Sequence, residues 1–328
     1  MAQPAIPVAG EEKIPVVAVV GPTASGKTAL AVELALRCGG EVVSADSMQI
    51  YRGMDIGTAK PGPEERRGVP HHMMDVADPA QPYSVADYVA SASRVIREIR
   101  ARGRLPIVAG GTGLYVDSLL GNLQFDRSAG RDETLRAALR ERARREGGES
   151  LLRELSACDP EAAAALPPAD LGRIIRAIEV YRLTGVPMSE MKRRARLAPS
   201  PYRTVMLALG CDDRAKLYAR IDQRVDAMMA RGLAGEVKRL LAVPGVRGST
   251  AMQAIGYKEL IRCLDGEIPL ETAVELIKRG TRRYAKRQLT WFRREEAAHW
   301  LDIGRESPEN ICRIAYDILD KSGLLCYN

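Results

Sequence analysis

Eight residues near the start of the chain, Gly21-Pro22-Thr23-Ala24-Ser25-Gly26-Lys27-Thr28, have the types and spacing to hold a phosphorylated ligand. The apolar run Val16-Val17-Ala18-Val19-Val20 precedes them, and a stretch with helical periodicity, residues 29–36, follows. G-x-x-x-x-G-K-T between a buried strand and a helix is the setting a phosphate-binding loop requires. Backbone N–H groups and the helix N-terminus there form a concave anion site. Lys27 supplies a mobile positive charge, and the Thr28 hydroxyl is placed to reach a Mg²⁺ ion bridging the phosphates. By its base rate such a loop is an ATP site.

Asp46 is the second candidate, at the end of the short apolar strand 41–45. A carboxylate at a strand end beside a phosphate loop can hold Mg²⁺, take a proton as a general base, or cap the next turn. A third strand, residues 105–109, runs into Gly110-Gly111-Thr112-Gly113, where backbone can approach a ligand closely. It ends in Gly-Gly-Thr where nucleotide hydrolases often place an acidic residue, which weakens the ATPase reading. Arg220 and Arg224, four apart on a helix, could grip a diphosphate or face water. The stretch 279–294 interleaves seven Lys and Arg with Tyr284, Trp291 and Phe292. That pattern suits phosphate contact with base stacking, or else aromatic anchors flanked by solvated arginines.

The elements that must position these residues alternate strand and helix through residue 120, which implies α/β architecture with a parallel sheet and ligands at the strands' carboxyl ends. From 131 to about 196 only helices are expected, broken by Gly147-Gly148, Pro167-Pro168 and Gly185. Residues 204–209 then read as a strand returning to the sheet. The expectation is a core of residues 1–124 and 202–328 with a helical insertion at 125–201. Helices follow at 213–231, 233–242, 252–264 and 270–294, and a last one begins behind Ser307 and Pro308.

Composition narrows the class. The chain has 328 residues, 28% of them charged, and no apolar stretch near the ~20 residues of a membrane span. Residues 1–13 lack the cationic start and apolar centre of a signal peptide. The six cysteines, Cys326 among them, form no C-x-x-C pair and read as reduced thiols in a cytoplasmic protein. The formal net charge is +7, and it is uneven: residues 1–120 hold 12 Lys and Arg against 13 Asp and Glu, the remainder 37 against 29. A basic far half suits a polyanion such as nucleic acid, and equally a solvated basic surface.

Six segments taken together resemble the bacterial tRNA dimethylallyltransferases of the IPP transferase family. They are the phosphate loop, Asp46-Ser47-Met48-Gln49-Ile50-Tyr51, Met54-Asp55-Ile56-Gly57-Thr58-Ala59-Lys60-Pro61, Gly110-Gly111-Thr112-Gly113-Leu114-Tyr115, Ala251-Met252-Gln253-Ala254-Ile255-Gly256-Tyr257-Lys258 and Lys286-Arg287-Gln288-Leu289-Thr290-Trp291-Phe292-Arg293. The resemblance covers nearly the whole chain. It implies a P-loop NTPase-like core and transfer of a dimethylallyl group from dimethylallyl diphosphate to N6 of adenosine 37 in tRNA, with Mg²⁺ as cofactor. The loop Gly21, Pro22, Thr23, Ala24, Ser25, Gly26, Lys27 and Thr28 then cradles a diphosphate, an ATP-binding motif without ATP hydrolysis. Asp46 becomes the base, Thr23 and Arg224 stabilise the leaving group, and Thr28 is the metal ligand. tRNA contacts are implied at Asp46, Ser47, Met48, Gln49, Thr112, Arg136, Arg173, Arg176, Gln253, Gly256, Tyr257, Lys258, Lys286, Arg287, Gln288, Thr290, Trp291 and Arg293. Gly172 stands where many members carry Gln, which removes one side-chain contact. A monomer that does not touch membranes is expected. Competing readings are an ATP-dependent small-molecule kinase, an adenylate prenyltransferase acting on a free nucleotide, and a nucleotide-gated RNA-binding protein. None of the three accounts at once for the basic segments, Asp46 and the Gly110–Thr112 turn.

Overall fold

Why the phosphate loop sits where it does follows from the strand before it. In the computed structural model, which describes residues 12–125 and 130–325, β1 (Ile14–Val20) is buried from Val16 to Val20. A strand hidden on both faces belongs in the middle of a parallel sheet. It pairs in parallel with β4 (Leu105–Gly110) on one side and β5 (Tyr202–Gly210) on the other. β2 (Gly40–Ser44), β3 (His71–His72) and β6 (His299–Asp302) complete a six-stranded, all-parallel sheet in the order β3-β2-β4-β1-β5-β6. The carboxyl ends of β1, β2 and β4, three neighbours, therefore deliver the phosphate loop, Asp46 and the Gly110–Thr112 turn to one edge.

Helices cover the sheet. α1 (Lys27–Cys38) ends on Gly39 in the left-handed region at φ 61°, as the glycine pair 39–40 suggests. α2 is the short Pro63–Arg66, and α3 (Val85–Ala101) begins with the expected Ser84/Asp87 capping box. α4 (Gly113–Leu120) follows β4 directly. A second compact unit, Gly121–Ser200, contains α5 (Glu133–Glu146), α6 (Gly148–Cys158), α7 (Pro160–Ala164), α8 (Leu171–Thr184) and α9 (Met188–Ala195). Its own core gathers Leu139, Leu151, Leu155, Ile174 and Ile178. After β5 come α10 (Arg214–Ala230), α11 (Leu233–Leu241), α12 (Tyr257–Leu264), α13 (Leu270–Phe292) and, beyond β6, α14 (Pro308–Lys321) with Ser307 as N-cap.

Three elements depart from the sequence expectation. β3 is two residues long, too short for periodicity to register, and β6 shows only one buried residue, Leu301. The helix expected over 252–264 is a 3-10 turn at Ala251–Gln253 and then α12, because Gly256 at φ +97° breaks the path. Residues 1–11 and Cys326 lie outside the described residues. Within them no helix is long and apolar enough to cross a membrane.

Two glycines test these packing constraints in opposite directions. A Cβ on Gly113 would lie 2.3 Å from the Trp291 ring, so Gly113→Ala should cost about 1–3 kcal/mol in urea unfolding. Gly172 lies within α8 with no heavy atom within 4 Å of a built Cβ, so Gly172→Ala should stabilise by about 0.5–1 kcal/mol.

Candidate active site

The phosphate loop is held open by backbone geometry. Gly21 has φ +138° and a Cβ there would sit 2.4 Å from the Leu209 carbonyl on β5, so no side chain fits. Ala24 and Gly26 are in positive φ, which curls the loop before α1 starts. Gly26 is the N-cap without a side-chain acceptor, leaving the first N–H groups of α1 for a ligand. The Ser25 hydroxyl is buried and has no hydrogen-bond partner among the described residues. Lys27 Nζ donates to the loop's own Pro22 carbonyl at 2.5 Å.

The loop is cationic and poor in counter-charge. Burial, and secondarily the nearby Arg224, pull the Lys27 ammonium down to about 7, with Asp46 opposing. Arg224, on α10, is itself pushed down by burial, against the pull of Asp46 and Glu65. Its guanidinium makes no hydrogen bond among the described residues. Arg220 instead reaches toward the Ile303 carbonyl at 3.4 Å. Of the two arginines, only Arg224 shares a field with Lys27 and Asp46.

Asp46 stands across from this charge. Its Oδ1 accepts from the N–H groups of Met48 at 2.9 Å and Gln49 at 3.4 Å, which fixes the turn after β2. Thr112 Oγ1 accepts from Ser47 N at 3.0 Å, tying that turn to the one after β4. The Thr23 N–H donates to Gln288 Oε1 at 2.9 Å, and Gln288 Nε2 donates to the Gly111 carbonyl at 2.9 Å. One buried amide thus joins the phosphate loop to the Gly110–Thr112 turn. A side chain on Gly111 would strike Gln288 Nε2 at 2.1 Å, and one on Gly110 the Ala45 carbonyl at 2.2 Å. Burial and Asp46 together push the Tyr284 hydroxyl up to about 12, with Thr112, Arg287 and Gln288 opposing. Tyr284 and Gln288, one turn apart on α13, therefore face the site.

Magnesium fits this donor set. It prefers water and phosphate oxygens with one or two protein oxygens. Thr28, exposed at the second position of α1, has a hydroxyl with no hydrogen bond among the described residues. Those residues contain no cluster of three or more His, Cys, Asp or Glu that could hold a metal unaided.

Several expected RNA contacts are placed differently. Tyr257 is 0% exposed and its hydroxyl donates to Glu236 at 2.6 Å; Gly256 is buried beside it. Both belong to the core, because the backbone turn at Gly256 points this end of α12 inward, while Gln253 and Lys258 remain on the surface. Gln288 is spent on Thr23 and Gly111, and the Trp291 indole donates to Asp117 at 2.7 Å, so both anchor α13. Lys286, Arg287, Thr290 and Arg293 are exposed on the same helix. In the helical unit, Arg136 makes two 2.8 Å bonds to the buried Glu179. Arg176 adds a third at 2.5 Å. Burial alone would raise Glu179, yet these guanidinium bonds and the Asp132 N–H hold it at about 2. Arg136 and Arg176 thus neutralise an internal carboxylate, whereas Arg173 is exposed beside Asp170. The buried Glu236 was not singled out by motif or spacing.

A parallel sheet with a phosphate loop, a facing carboxylate and an arginine-rich α13 defines a P-loop-like protein built to part a phosphorylated donor from its group. A family model described as IPP transferase matches residues 49–295, and one for isopentenyl transferase matches 14–77. A tRNA dimethylallyltransferase of Carboxydothermus hydrogenoformans is 50% identical over 293 residues, 89% of this chain and 93% of that one. The full-length tRNA isopentenylpyrophosphate transferase of Bacillus halodurans superposes with TM-score 0.71 at 44% identity, covering 95% and 97% of the two chains. A eukaryotic dimethylallyltransferase acting on tRNA superposes with TM-score 0.79 at 30% identity, covering 96% and 80%. The chain belongs to the IPP transferase family.

The depressed Lys27 has a measurable consequence. A bound diphosphate favours the ammonium form, so above pH 7 donor binding should draw in a proton and weaken as pH rises. Calorimetry near pH 8, where the diphosphate is ionised, in buffers of different ionisation enthalpy should show that uptake and its loss in Lys27→Met.

Proposed function

We propose that this chain transfers a dimethylallyl group from dimethylallyl diphosphate to the N6 amine of adenosine 37 in a tRNA, releasing diphosphate. The observation that carries the reading is the Gln288 bridge, which sets the phosphate loop and the turn bearing Thr112, whose hydroxyl accepts from the Ser47 N–H beside Asp46, in one hydrogen-bonded frame. A donor held by the loop and an acceptor at Asp46 would then meet across that frame.

The N6–C1 bond forms as the C1–O bond breaks, and the bonding pair leaves on a diphosphate oxygen. Charge therefore grows where the α1 N-terminus, the Thr23 side chain, the buried Ser25 hydroxyl, Lys27 and Arg224 converge. The loop backbone that presents all of these except Arg224 is held by its glycine geometry and by the Gln288 tie to the Thr23 N–H, which limits its reorganisation. Magnesium at Thr28, when bound, adds further neutralisation of the diphosphate. The N6 amine is a weak nucleophile because its lone pair is delocalised into the ring. Its proton becomes acidic only as the new bond forms, and Asp46 takes it then. Asp46 keeps one carboxylate oxygen, Oδ2, free of the turn's hydrogen bonds for that purpose. Lys27 and Tyr284, each only partly exposed, limit the water that reaches the allylic centre.

A stacked anticodon base cannot reach Asp46, so adenosine 37 must be splayed out. Lys286, Arg287, Thr290 and Arg293, exposed on α13 beside the inward Gln288, supply phosphate contacts for that loop, with Gln253 and Lys258 on the neighbouring elements. Ser47, Met48 and Gln49 line the acceptor side, and the exposed Arg173 is the contact we assign to the helical insertion. A reaction within the cytoplasm by a monomer completes the reading.

Labelled dimethylallyl diphosphate, Mg²⁺ and unmodified tRNA should yield labelled tRNA; ATP consumption with a small acceptor and no label in tRNA would overturn the assignment. Asp46→Ala should lower transfer by about 10²–10⁴-fold while donor affinity stays within a few-fold. Loss of donor or metal binding instead would make Asp46 a metal ligand. Arg287→Ala should weaken tRNA binding and reduce the slope of log affinity against log salt by about 1.

A further inference from the structure

Glu236 on α11 is 2% exposed, and every hydrogen bond it accepts points toward one loop and the residue behind it. Oε2 takes the N–H groups of Asp55 at 3.0 Å and Ile56 at 2.7 Å, and Oε1 takes that of Gly57 at 3.1 Å and the Tyr257 hydroxyl at 2.6 Å. Three successive backbone donors on one buried carboxylate make a rigid cradle, since leaving any of them unpaired is costly. Tyr257 closes it from beneath: a Cβ on Gly57 would lie 2.5 Å from the ring, so the loop backbone rests directly on the tyrosine. From the other side the buried Lys60 donates to Asp55 at 2.9 Å, to Asp75 at 2.5 Å and to the Tyr51 carbonyl at 2.6 Å.

The loop so fixed holds Gln49. Its amide nitrogen donates to the carbonyls of Thr58 and Ala59, each at 3.3 Å, and its amide oxygen accepts from the Ser44 hydroxyl at 2.9 Å. Gln49 and Met48 in turn give their N–H groups to Asp46 Oδ1. Hydrogen bonds joined through the backbone of the Asp55–Ala59 loop therefore connect α11 to Asp46.

We infer that Glu236, with Tyr257 behind it, is a positioning residue that sets the orientation of the Asp46 carboxylate through the Asp55–Ala59 loop and Gln49. It touches neither donor nor acceptor. Its effect falls on the proton-accepting side and leaves the phosphate loop untouched, because Thr23 is held separately by Gln288. The inference rests on the reaction proposed above, and its test includes one readout that does not require turnover.

Glu236→Gln keeps the shape but replaces an acceptor oxygen with an N–H₂ donor. Tyr257→Phe keeps the ring under Gly57 and removes one bond, so it serves where the first variant folds poorly. Amide hydrogen exchange in the free protein should accelerate at Asp55, Ile56 and Gly57 and also at Met48 and Gln49 in Glu236→Gln, with α1 unchanged. At saturating donor and tRNA, kcat per active site should fall about tenfold to hundredfold in Glu236→Gln and less in Tyr257→Phe, with the Kd for dimethylallyl diphosphate within twofold. Combining Glu236→Gln with Gln49→Ala should be no worse than the poorer single variant, since both break one path. Exchange confined to residues 55–57, a kcat loss that multiplies with that of Gln49→Ala, or a loss that tracks donor affinity would each overturn the positioning role. Wild-type transfer measured alongside reports on the reaction itself, so a failure there is distinct from a failure of the variants.

Discussion

The site depends on one buried amide. Gln288 gives its oxygen to the Thr23 N–H and its nitrogen to the Gly111 carbonyl, and so spans two strand ends that the sheet alone brings only near each other. Parallel strands β1 and β4 fix direction and register, yet their loops would be free to splay without a cross-tie. An amide is suited to that place because it carries both a donor and an acceptor and no charge. A carboxylate there could take Thr23 but would repel the Gly111 carbonyl. The glycines at 110, 111 and 113 exist on the same account: each leaves room for a neighbour that a methyl group would displace.

Around this tie the charges are arranged by scarcity. Burial disfavours the charged forms of Lys27 and Arg224, and Asp46 is the carboxylate that opposes this at both. Elsewhere the protein handles buried charge in the opposite way. Glu179 collects two guanidinium groups, and Lys60 two carboxylates. Glu236 is held by backbone N–H groups instead, and against these arrangements Lys27 and Arg224 have no carboxylate in hydrogen-bond contact among the described residues, which suits a loop that receives an anion.

Much of this could be read from residue order, and the limits have physical causes. Gly21 to Thr28, Asp46 and the Gly110–Thr112 turn are legible because each lies at the end of an apolar run, where local pattern and final position coincide. The Ser84/Asp87 box and the Ser307 cap are local as well. Gln288, Tyr257 and Glu236 are not, since their partners lie far off in sequence: Thr23 is 265 residues from Gln288, and Gly57 is 179 from Glu236. A polar side chain on a basic helix looks like surface until the chain folds. For the same reason Arg136 and Arg176 read as RNA contacts, although a buried carboxylate claims both. β3 and β6 were missed because two and four residues offer no period to detect.

α13 has one further consequence, and it concerns how such a protein can change. Two of its inward positions, Gln288 and Trp291, are each committed to hydrogen-bond partners in other elements, and Tyr284 faces the same way. Of its outward positions, Arg287 lies over the Tyr284 ring, 5.6 Å from its centre, whereas Lys286, Thr290 and Arg293 are exposed and bound to nothing in that frame among the described residues. Substitutions at those last three positions can therefore accumulate without touching the inner face. The helix separates what may drift from what must persist, so its outer face can vary by descent while the tie between the two strand-end loops is inherited unaltered.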